Sequence, residues 1–287
     1  MTLVVVQPGI QTLVEDLGRA GQASAGVGTS GAADRRSAAL ANACVGNHRT
    51  AAVLEVLLGR LVIRALHPCL VAVTGASGPL TIDGADADPG VPLRLHRGQE
   101  LTLGVATTGL RRYLAVRGGI DAPRTLGSRS SDVLAGLGPA PVVTGQVLSP
   151  GLLAAFDPRP VALPTSATHA TYHDGPRLDR LDEASRTRLD GSRWTVSPTS
   201  NRTAVRLLGT PLTLSRPDEL PSEGILPGAI QVPPNGEPLI FLADHPATGG
   251  YPVVGVLDAD GLAAAAQWRP GVEIGLGREA RGQTISL

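Results

Sequence analysis

The stretch SEGILPGAIQVPPNGEPLIFLADHPATGGYP, residues 222–252, places two short apolar runs between three tight turns. Short β-prone segments bounded by glycine and proline predict strands, so 229–232 and 238–243 are expected to pair. The turn between them, 233–236, contains Asn-Gly, which predicts a hairpin with positive φ at both of these residues. The stretch therefore predicts antiparallel β structure with polar residues at its strand ends.

Polar side chains are dense in this same stretch. They are Glu223, Gln231, Asp244, His245, Thr248 and Tyr251, with Gly249 and Gly250 beside them. Loops at strand ends often carry binding residues, because a rigid scaffold fixes them while they stay accessible. An ordinary turn-rich hairpin is the alternative interpretation, and spacing alone does not decide between the two.

Composition favours short strands and tight turns along the whole chain. Glycine (36 residues) and proline (24 residues) are abundant and show no repeat period, which disfavours long helices. Aromatic residues are only 2% of the chain, so its cores must consist of aliphatic side chains. A chain of 287 residues exceeds the size at which one core stops growing, which predicts two domains. We place these domains at 1–155 and 160–287, around a proline-rich connection.

Charge excludes several classes of function. The 25 basic and 25 acidic residues cancel, and a neutral chain lacks the basic face that nucleic acids require. All the basic residues are arginine, which excludes lysine Schiff-base chemistry and a lysine-containing phosphate loop. The six histidines do not have zinc-ligand spacing, so no metal site is predicted. A cytoplasmic location is predicted, because signal-peptide and membrane-length apolar segments are not recognised.

Two helices and two buried thiols are also predicted. The first helix is expected from about 32 to 45, with Ser30 as its N-cap and Gly46 just after its end. The second is expected at about 179–190, capped by Asp179 or Asp182. Cys44 and Cys69 lie in apolar surroundings, which predicts free buried thiols.

Arginine on glycine-rich loops is the remaining chemical signal. The relevant pairs are Arg19 with Asp16, Arg129 with Ser128, Asn201 with Arg202, and Asp244 with Tyr251. A guanidinium group donates two parallel hydrogen bonds to a carboxylate or phosphate, so these loops are expected to bind anions. Each arginine taken singly is also consistent with a surface ion pair.

Nine motifs, in order along nearly the whole chain, resemble the KipA-like family. This family is also described as allophanate hydrolase subunit 2, biotin-dependent carboxyltransferase subdomains A and B, or the C subunit of 5-oxoprolinase. The motifs are TLVEDLGRAG (12–21), GTSGAADRRSAALANACVGN (28–47), LEVLLG (54–59), TGA (74–76), RRYLAVRGGIDAP (111–123), LGSRSSD (126–132), WTVSPTSNRTAVRLLG (194–209), the 222–252 stretch and AQWRPG (266–271). The resemblance implies a mainly β fold of two cyclophilin-like β-barrel domains with a few short helices.

The function that this resemblance implies is that of the C subunit of a bacterial 5-oxoprolinase, active only as a complex. Its partners would be a KipI-like subunit and a LamB/YcsF-like subunit, and the complex would open 5-oxoproline to L-glutamate with ATP hydrolysis. The ATP site would be unconventional or shared between subunits. One alternative is a biotin-dependent carboxyltransferase subunit that moves a carboxyl group from carboxybiotin to a small amide. A second alternative is a regulatory module that binds a histidine kinase.

The residues expected to act on the lactam come mainly from the 222–252 stretch. Asp244 and Glu223 are the predicted catalytic residues, either of which would accept the lactam N–H. The predicted substrate-binding residues are Asn201, Arg202, Gln231, Gly249, Gly250, Tyr251, Ser128 and Arg129. Replacing Asp244 by alanine is expected to abolish activity without unfolding the chain.

Separate roles are predicted within the substrate-binding set. Arg202 and the backbone amides of Gly249 and Gly250 would stabilise negative charge on the carbonyl oxygen of the substrate. Gln231 and Tyr251 would orient its ring.

Overall fold

The computed structural model of the chain describes residues 2–152, 154–216 and 220–279. These residues belong to two compact units, Met1–Ser166 and Ala167–Leu287. Each unit has its own hydrophobic core. The main core of the first unit is aliphatic, but Tyr172, Trp194 and Trp268 lie in the core of the second, so the prediction of purely aliphatic cores is wrong for that unit. The structure is mainly β with a few short helices, which confirms the predicted fold class.

The first unit consists of two antiparallel sheets that share one core. Its strands are β1 (Leu3–Pro8), β2 (Thr12–Glu15), β3 (Val53–Leu57), β4 (Leu61–Ala65), β5 (Cys69–Ser77), β6 (Leu80–Ile82), β7 (Ala85–Asp86), β8 (Leu93–Leu95), β9 (Glu100–Leu103), β10 (Thr108–Val116) and β11 (Val147–Leu148). One sheet has the order β11-β1-β4-β9-β6-β7 and the other β2-β3-β10-β5-β8. Leu3 and Ile63 of the first sheet and Leu54 and Leu114 of the second lie in the same core cluster. The antiparallel structure agrees with the regular spacing of apolar runs and turns along the chain.

One α-helix, α1 (Arg35–Cys44), packs on the second sheet through Ala38, Ala41 and Cys44. Its N-cap is Asp34, whose side chain accepts a hydrogen bond from the backbone N–H of Ser37. The prediction of Ser30 as N-cap is wrong, because the Ser30 hydroxyl donates to the carbonyl of Ser131 instead. Gly46 follows the helix in the left-handed conformation, with φ of 72°, as predicted.

The second unit is built on a closed seven-stranded barrel. Its strands are β12 (His169–Asp174), β13 (Arg193–Val196), β14 (Ala204–Leu208), β15 (Glu223–Gly224), β16 (Ala229–Gln231), β17 (Leu239–Phe241), β18 (Thr248–Gly249), β19 (Val253–Leu257) and β20 (Glu273–Arg278). The barrel order is β12-β19-β16-β17-β14-β13-β20, and a parallel pairing of β12 with β20 closes it. β15 and β18 form a separate two-stranded ladder. Trp194, Tyr172, Ile230 and Ile240 fill the barrel core.

Two short helices accompany the barrel, α2 (Glu183–Gly191) and α3 (Ala259–Ala265). Asp182 caps α2 by accepting from the N–H of Ser185, which confirms one of the two predicted caps, and Asp258 caps α3 in the same way. Short 3₁₀ turns lie at Ala23–Ala25 and Leu178–Arg180. Within the described parts of the chain, no helix is long and apolar enough to cross a membrane.

The predicted hairpin of the 222–252 stretch is present, but its turn differs from the expectation. β16 and β17 are antiparallel, with Ile230 opposite Ile240. The N–H of Gly236 donates to the carbonyl of Pro233 at 2.9 Å, which places Pro234 and Asn235 at the centre of the turn. Gly236 alone of the Asn-Gly pair has positive φ, at 76°, so the predicted positive φ at Asn235 is wrong. The proline at the first central position favours a type I turn, which leaves the left-handed conformation to the glycine.

Both cysteines are free and buried, as predicted. Burial raises the pKa of the Cys44 and Cys69 thiols to about 11 each. Neither thiol is therefore an activated nucleophile.

Candidate functional site

An ion pair between Arg202 and Asp244 lies at one end of the β14–β17 ladder. Ala204 pairs with Phe241, so the segment that precedes β14 and the segment that follows β17 meet at the same edge of the barrel. The ladder continues there, because the N–H of Asp244 donates to the carbonyl of Arg202 at 3.1 Å. The Arg202 side chain donates from Nε to Oδ2 of Asp244 at 2.9 Å and from one terminal nitrogen to Oδ1 at 3.0 Å.

This pair is buried as well as bidentate. The side chain of Arg202 is 5% exposed and that of Asp244 is 0% exposed. Charge-assisted bidentate pairs are strong and fix the geometry of both partners. The contact holds the segment before β14 against the segment after β17, and the prediction that both residues belong to one site stays a prediction.

Asn201 stabilises the turn that precedes β14. Its side-chain oxygen accepts from the backbone N–H of Thr203 at 2.8 Å and of Ala204 at 3.2 Å. This is a local asparagine turn, which is the usual structural use of this residue type at such a position. The exposed Asn201 side chain thus holds the backbone from which Arg202 projects.

Glu223 pairs with Arg177, a residue that has no role in the sequence-based predictions. Arg177 donates to both oxygens of the Glu223 carboxylate, from Nε at 3.2 Å and from a terminal nitrogen. These hydrogen bonds hold the pKa of Glu223 below its ordinary value. The carboxylate is 29% exposed, so it is an ionised group that a ligand can reach. β15 and β18 place Glu223 directly opposite Gly249.

Gln231, Gly249 and Tyr251 form a second contact group. The buried Gln231 side chain donates from Nε2 to the carbonyl of Tyr251 at 2.8 Å, which fixes the backbone of this loop. A Cβ at Gly249 would lie 3.0 Å from that Nε2 atom, so the glycine permits the close approach. Tyr251 is 48% exposed, and its phenol has no hydrogen-bond partner among the residues that the structure describes. Gly250 beside it is also exposed.

Ser128 and Arg129 belong to the first unit, where they surround Asp16. Oδ1 of Asp16 accepts from the hydroxyls of Ser128 (2.5 Å) and Ser130 (2.7 Å) and from the N–H of Gly18 (2.8 Å). Its Oδ2 accepts from the N–H of Arg129 at 2.7 Å. Sequence reasoning missed this role of Asp16, because its partners Ser128 and Arg129 lie more than 110 residues away.

The guanidinium groups of Arg19 and Arg129 bind carboxylates other than that of Asp16. Arg19 does not pair with Asp16; it lies 3.5 Å from Asp132 and donates to the carbonyl of Ser130. Arg129 contacts Asp121 at 2.6 Å, and 19% of its side chain is exposed. Arg19 and Asp16 therefore lie on one loop but bind different partners, while Ser128 and Arg129 both bind the Asp16 carboxylate.

A buried polar network on β3 and β10 was not found from the sequence. The Tyr113 hydroxyl donates to Oε2 of Glu55 at 2.8 Å and accepts from the N–H of Asp34 at 2.8 Å. Arg111 lies 3.4 Å from Oε1 of the same Glu55. Burial is the main cause that raises the pKa of Tyr113 well above its ordinary value, and the nearby carboxylates raise it further. These residues join α1 to the sheet and are held by one another.

The predicted site residues thus divide between the two units. Ser128 and Arg129 lie in the first unit, and the other eight lie in the second. Within the second unit the structure shows direct contacts between Arg202 and Asp244 and between Gln231 and Tyr251, and pairs Glu223 with Gly249 in one ladder. His245, which follows Asp244, is buried, and its Nδ1 lies 2.8 Å from the carbonyl of Pro246.

Comparison with known proteins gives one family and several relatives. The profile of the carboxyltransferase domain, subdomains A and B, matches residues 25–277. The C subunit of 5-oxoprolinase from Escherichia coli (strain K12) is 34% identical over 267 residues, covering 90% of this chain and 85% of that protein. The C subunit of 5-oxoprolinase from Haemophilus influenzae is 32% identical over 279 residues, covering 91% and 86%.

A solved structure of a longer protein is also similar. The crystal structure of the K. lactis urea amidolyase matches with a TM-score of 0.91 and 30% identity, over 96% of this chain. This chain spans only 18% of that protein. The likeness therefore concerns one region of a much larger polypeptide.

Proposed function

The chain belongs to the family of carboxyltransferase domains, subdomains A and B, and from this premise we propose that it is the C subunit of a 5-oxoprolinase. The proposal includes a KipI-like and a LamB/YcsF-like partner and a requirement for the complete complex. The reaction is the ATP-dependent opening of 5-oxoproline to L-glutamate, in which water is added across the lactam C–N bond.

One observation carries this proposal. Two proteins of this description match this chain over 85% and 86% of their own length, so the similarity extends over nearly all of each protein. A match of this extent differs from that to the urea amidolyase, of which this chain resembles only a small region. The relatives are named as subunits, which favours an activity that needs other chains.

The contacts of the second unit suggest how the lactam is held. Tyr251 offers an exposed phenol, and Gln231 fixes the loop that carries it. Glu223 is ionised and partly exposed, and a carboxylate accepts more than the hydrogen bonds of Arg177, so it is suited to receive a lactam N–H. The exposed backbone at Gly250 is a donor for the carbonyl oxygen of the substrate, where negative charge develops.

Arg202 and Asp244 act on this site indirectly in our proposal. Their buried, bidentate contact joins the ends of β14 and β17, from which the 244–251 loop departs. We therefore treat both as positioning residues. The lost activity expected for Asp244→Ala would then follow from displacement of this loop.

Nucleotide binding does not fit the predicted residues of the second unit. Arg202 is neutralised by Asp244 and Arg177 by Glu223, so these four side chains carry no net positive charge toward a triphosphate. ATP, when bound to the complex, supplies the free energy that makes opening of the stable amide favourable. We propose that its site is formed with or by the partner chains.

The test is reconstitution. This chain is co-expressed with its KipI-like and LamB/YcsF-like partners, and 5-oxoproline-dependent release of glutamate and phosphate is followed in the presence of avidin, which sequesters biotin. Glutamate formation that avidin does not inhibit, and that is lost when this chain is omitted, is the expected result. A folded three-part complex without turnover would contradict the proposal.

Transfer of a carboxyl group from carboxybiotin to a small amide is the second candidate. The TM-score of 0.91 to the urea amidolyase favours it, because a fold conserved so closely can keep its ligand class. In this case avidin would abolish turnover and urea-like acceptors would replace 5-oxoproline. The same assay therefore separates the two functions.

A further inference from the structure

A cavity of about 540 Å³ lies in the first unit, beside the C-terminal half of α1. Small-molecule sites commonly have volumes of about 300–1,000 Å³. None of the ten predicted site residues lines it. Its walls come from α1, from the turn that follows α1, and from the segment 156–159.

Positive charge predominates around this cavity. Arg49 and Arg159 both line it and are exposed, and neither guanidinium has a hydrogen-bond or ion-pair partner among the described residues. Asp157 is the single carboxylate in the lining. Two unpaired guanidinium groups against one carboxylate favour an anionic ligand, since the planar fork of arginine binds carboxylate and phosphate in a bidentate manner.

The negative end of α1 does not oppose such a ligand. The carbonyl of Val45 accepts from Arg117 at 2.7 Å, and that of Cys44 accepts from the N–H of Arg159 at 3.0 Å. The carbonyl of Gly46 accepts from the N–H groups of residues 155 and 156, each at 2.9 Å. The carbonyl groups that would otherwise present partial negative charge at the helix end are therefore already satisfied.

An apolar face stands beside the charged one. The Phe156 side chain is 61% exposed and lines the cavity together with the methyl groups of Ala39 and Ala43. An exposed aromatic ring next to small aliphatic groups offers a surface for a flat ligand, because ring stacking and the burial of apolar surface both stabilise the complex. Charge and apolar surface occur here in one concave site.

The backbone that carries Phe156 is fixed in place. A Cβ at Gly46 would lie 2.1 Å from the Phe156 carbonyl oxygen, so the segment packs directly against the glycine. Arg117 also donates to that carbonyl, at 3.1 Å, and Asn47 forms an antiparallel bridge with Ala154. The cavity is therefore preformed, which lowers the ordering cost of binding.

We propose that this cavity binds a small molecule in which a phosphate or carboxylate group is attached to a flat, apolar body. The anionic group contacts Arg49 and Arg159, and the flat body lies against Phe156. His48 also lines the cavity, and its Nδ1 lies 2.8 Å from the Thr50 hydroxyl oxygen. This assignment does not depend on the proposed function, because it uses no residue of the lactam site.

Calorimetric titration of the intact chain tests it. Adenosine monophosphate is the probe for a phosphate on a flat body, and benzoate is the probe for a carboxylate. Adenosine and inorganic phosphate, each lacking one half, are expected to bind at least about tenfold more weakly than adenosine monophosphate. Arg49→Gln and Arg159→Gln are each expected to weaken the better probe by about tenfold, and Phe156→Ala to weaken it as well.

Arg97→Gln is the matched control. Arg97 is exposed, belongs to the same unit and does not line the cavity, so this variant makes the same change in net charge. Binding of adenosine monophosphate alone would assign a phosphate ligand, and binding of benzoate alone a carboxylate ligand. Absence of binding by both probes, or equal weakening by Arg97→Gln and the cavity variants, would overturn the proposal.

Discussion

Breaking the buried pair of Arg202 and Asp244 is expected to destabilise the second unit strongly. Asp244→Asn keeps the size of the side chain but removes its negative charge. The positive charge of Arg202, whose side chain is 5% exposed, then loses this carboxylate as its partner. Removing one partner of a buried ion pair costs about 3–5 kcal/mol, because the remaining charge stays out of water. Domains are stable by only about 5–15 kcal/mol, so this variant loses a large part of its stability.

Tryptophan fluorescence during urea unfolding measures this effect selectively. The chain has two tryptophans, Trp194 and Trp268, and both lie buried in the second unit. The free energy of unfolding falls by about 1–3 kcal/mol per molar urea, so a destabilisation of about 3–5 kcal/mol lowers the urea concentration at the unfolding midpoint by at least about 1 M. The first unit contributes no tryptophan signal.

Arg278→Gln supplies the control. Arg278 pairs with Asp174 in the same barrel, but the two side chains are 37% and 27% exposed. Exposed pairs contribute about 0–1 kcal/mol, so the midpoint should change little. The double variant Arg202→Met/Asp244→Leu, in which both charges are removed, should recover much of the stability that Asp244→Asn loses. An effect of Asp244→Asn no larger than that of Arg278→Gln would refute this reasoning.

Three further substitutions have defined outcomes. The pKa of Glu223 is lower in the folded state than in the unfolded state. Its ionisation therefore stabilises the fold at pH values above its unfolded pKa of about 4.3, and this stabilisation is lost as the pH falls through the folded pKa. Glu223→Gln should therefore flatten the acid side of the urea-midpoint profile as the pH falls below about 5, and an unchanged profile would contradict this. Asp16→Asn replaces a carboxylate, which accepts hydrogen bonds from hydroxyl and N–H donors, by an amide that can accept with one atom only. We expect the free energy of unfolding to fall by about 1.5–3 kcal/mol and the amides of 128–130 to exchange hydrogen faster. Gly46→Ala places a Cβ 2.1 Å from the Phe156 carbonyl oxygen at a residue that already has positive φ. Gly84 also has positive φ, but an added Cβ would meet no atom within 4 Å. We therefore expect Gly46→Ala to lower the melting temperature more than Gly84→Ala does.

Local features of the fold were predictable because their causes are local. The hairpin of β16 and β17 follows from two apolar runs around a turn-forming tetrapeptide, and Asp182 caps α2 from one residue before it. The end of α1 at Gly46 depends only on the freedom of glycine to adopt positive φ. Such signals lie within a few residues of their effect.

Errors arose where distant segments compete for the same group. Ser30 precedes a helix and suits an N-cap, but its hydroxyl bonds to the carbonyl of Ser131, 101 residues away, and Asp34 takes the capping role. The carboxylate of Asp16 is enclosed by the 128–130 segment, so Arg19 finds its partners elsewhere. The sequence shows that these side chains are polar, but only the tertiary fold decides which donor meets which acceptor.

Part of the candidate site was predictable for a different reason. Asp244 is indicated by its place at a strand end and Arg202 by its glycine-rich loop, the family resemblance assigns both to the site, and the ladder of β14 with β17 brings them together. Their burial was not predictable, because no local pattern indicates how completely a barrel encloses a pair at its edge. Burial is the property that changes their expected role from contacting the substrate to supporting the loop beside it.

The pairing that closes the barrel also constrains how the second unit is made in the cell. β12 and β20 are parallel neighbours, with His169 opposite Gly275, although more than one hundred residues separate them in the chain. During synthesis the barrel therefore stays open until β20 has left the ribosome, and the edges of β12 and β13 that β20 will cover remain unpaired. An open strand edge is a template for wrong pairing, so translation arrest before β20 should yield chains that depend on chaperones. We therefore expect this unit to reach its native topology only after β20 has been synthesised, because β20 pairs with both β12 and β13.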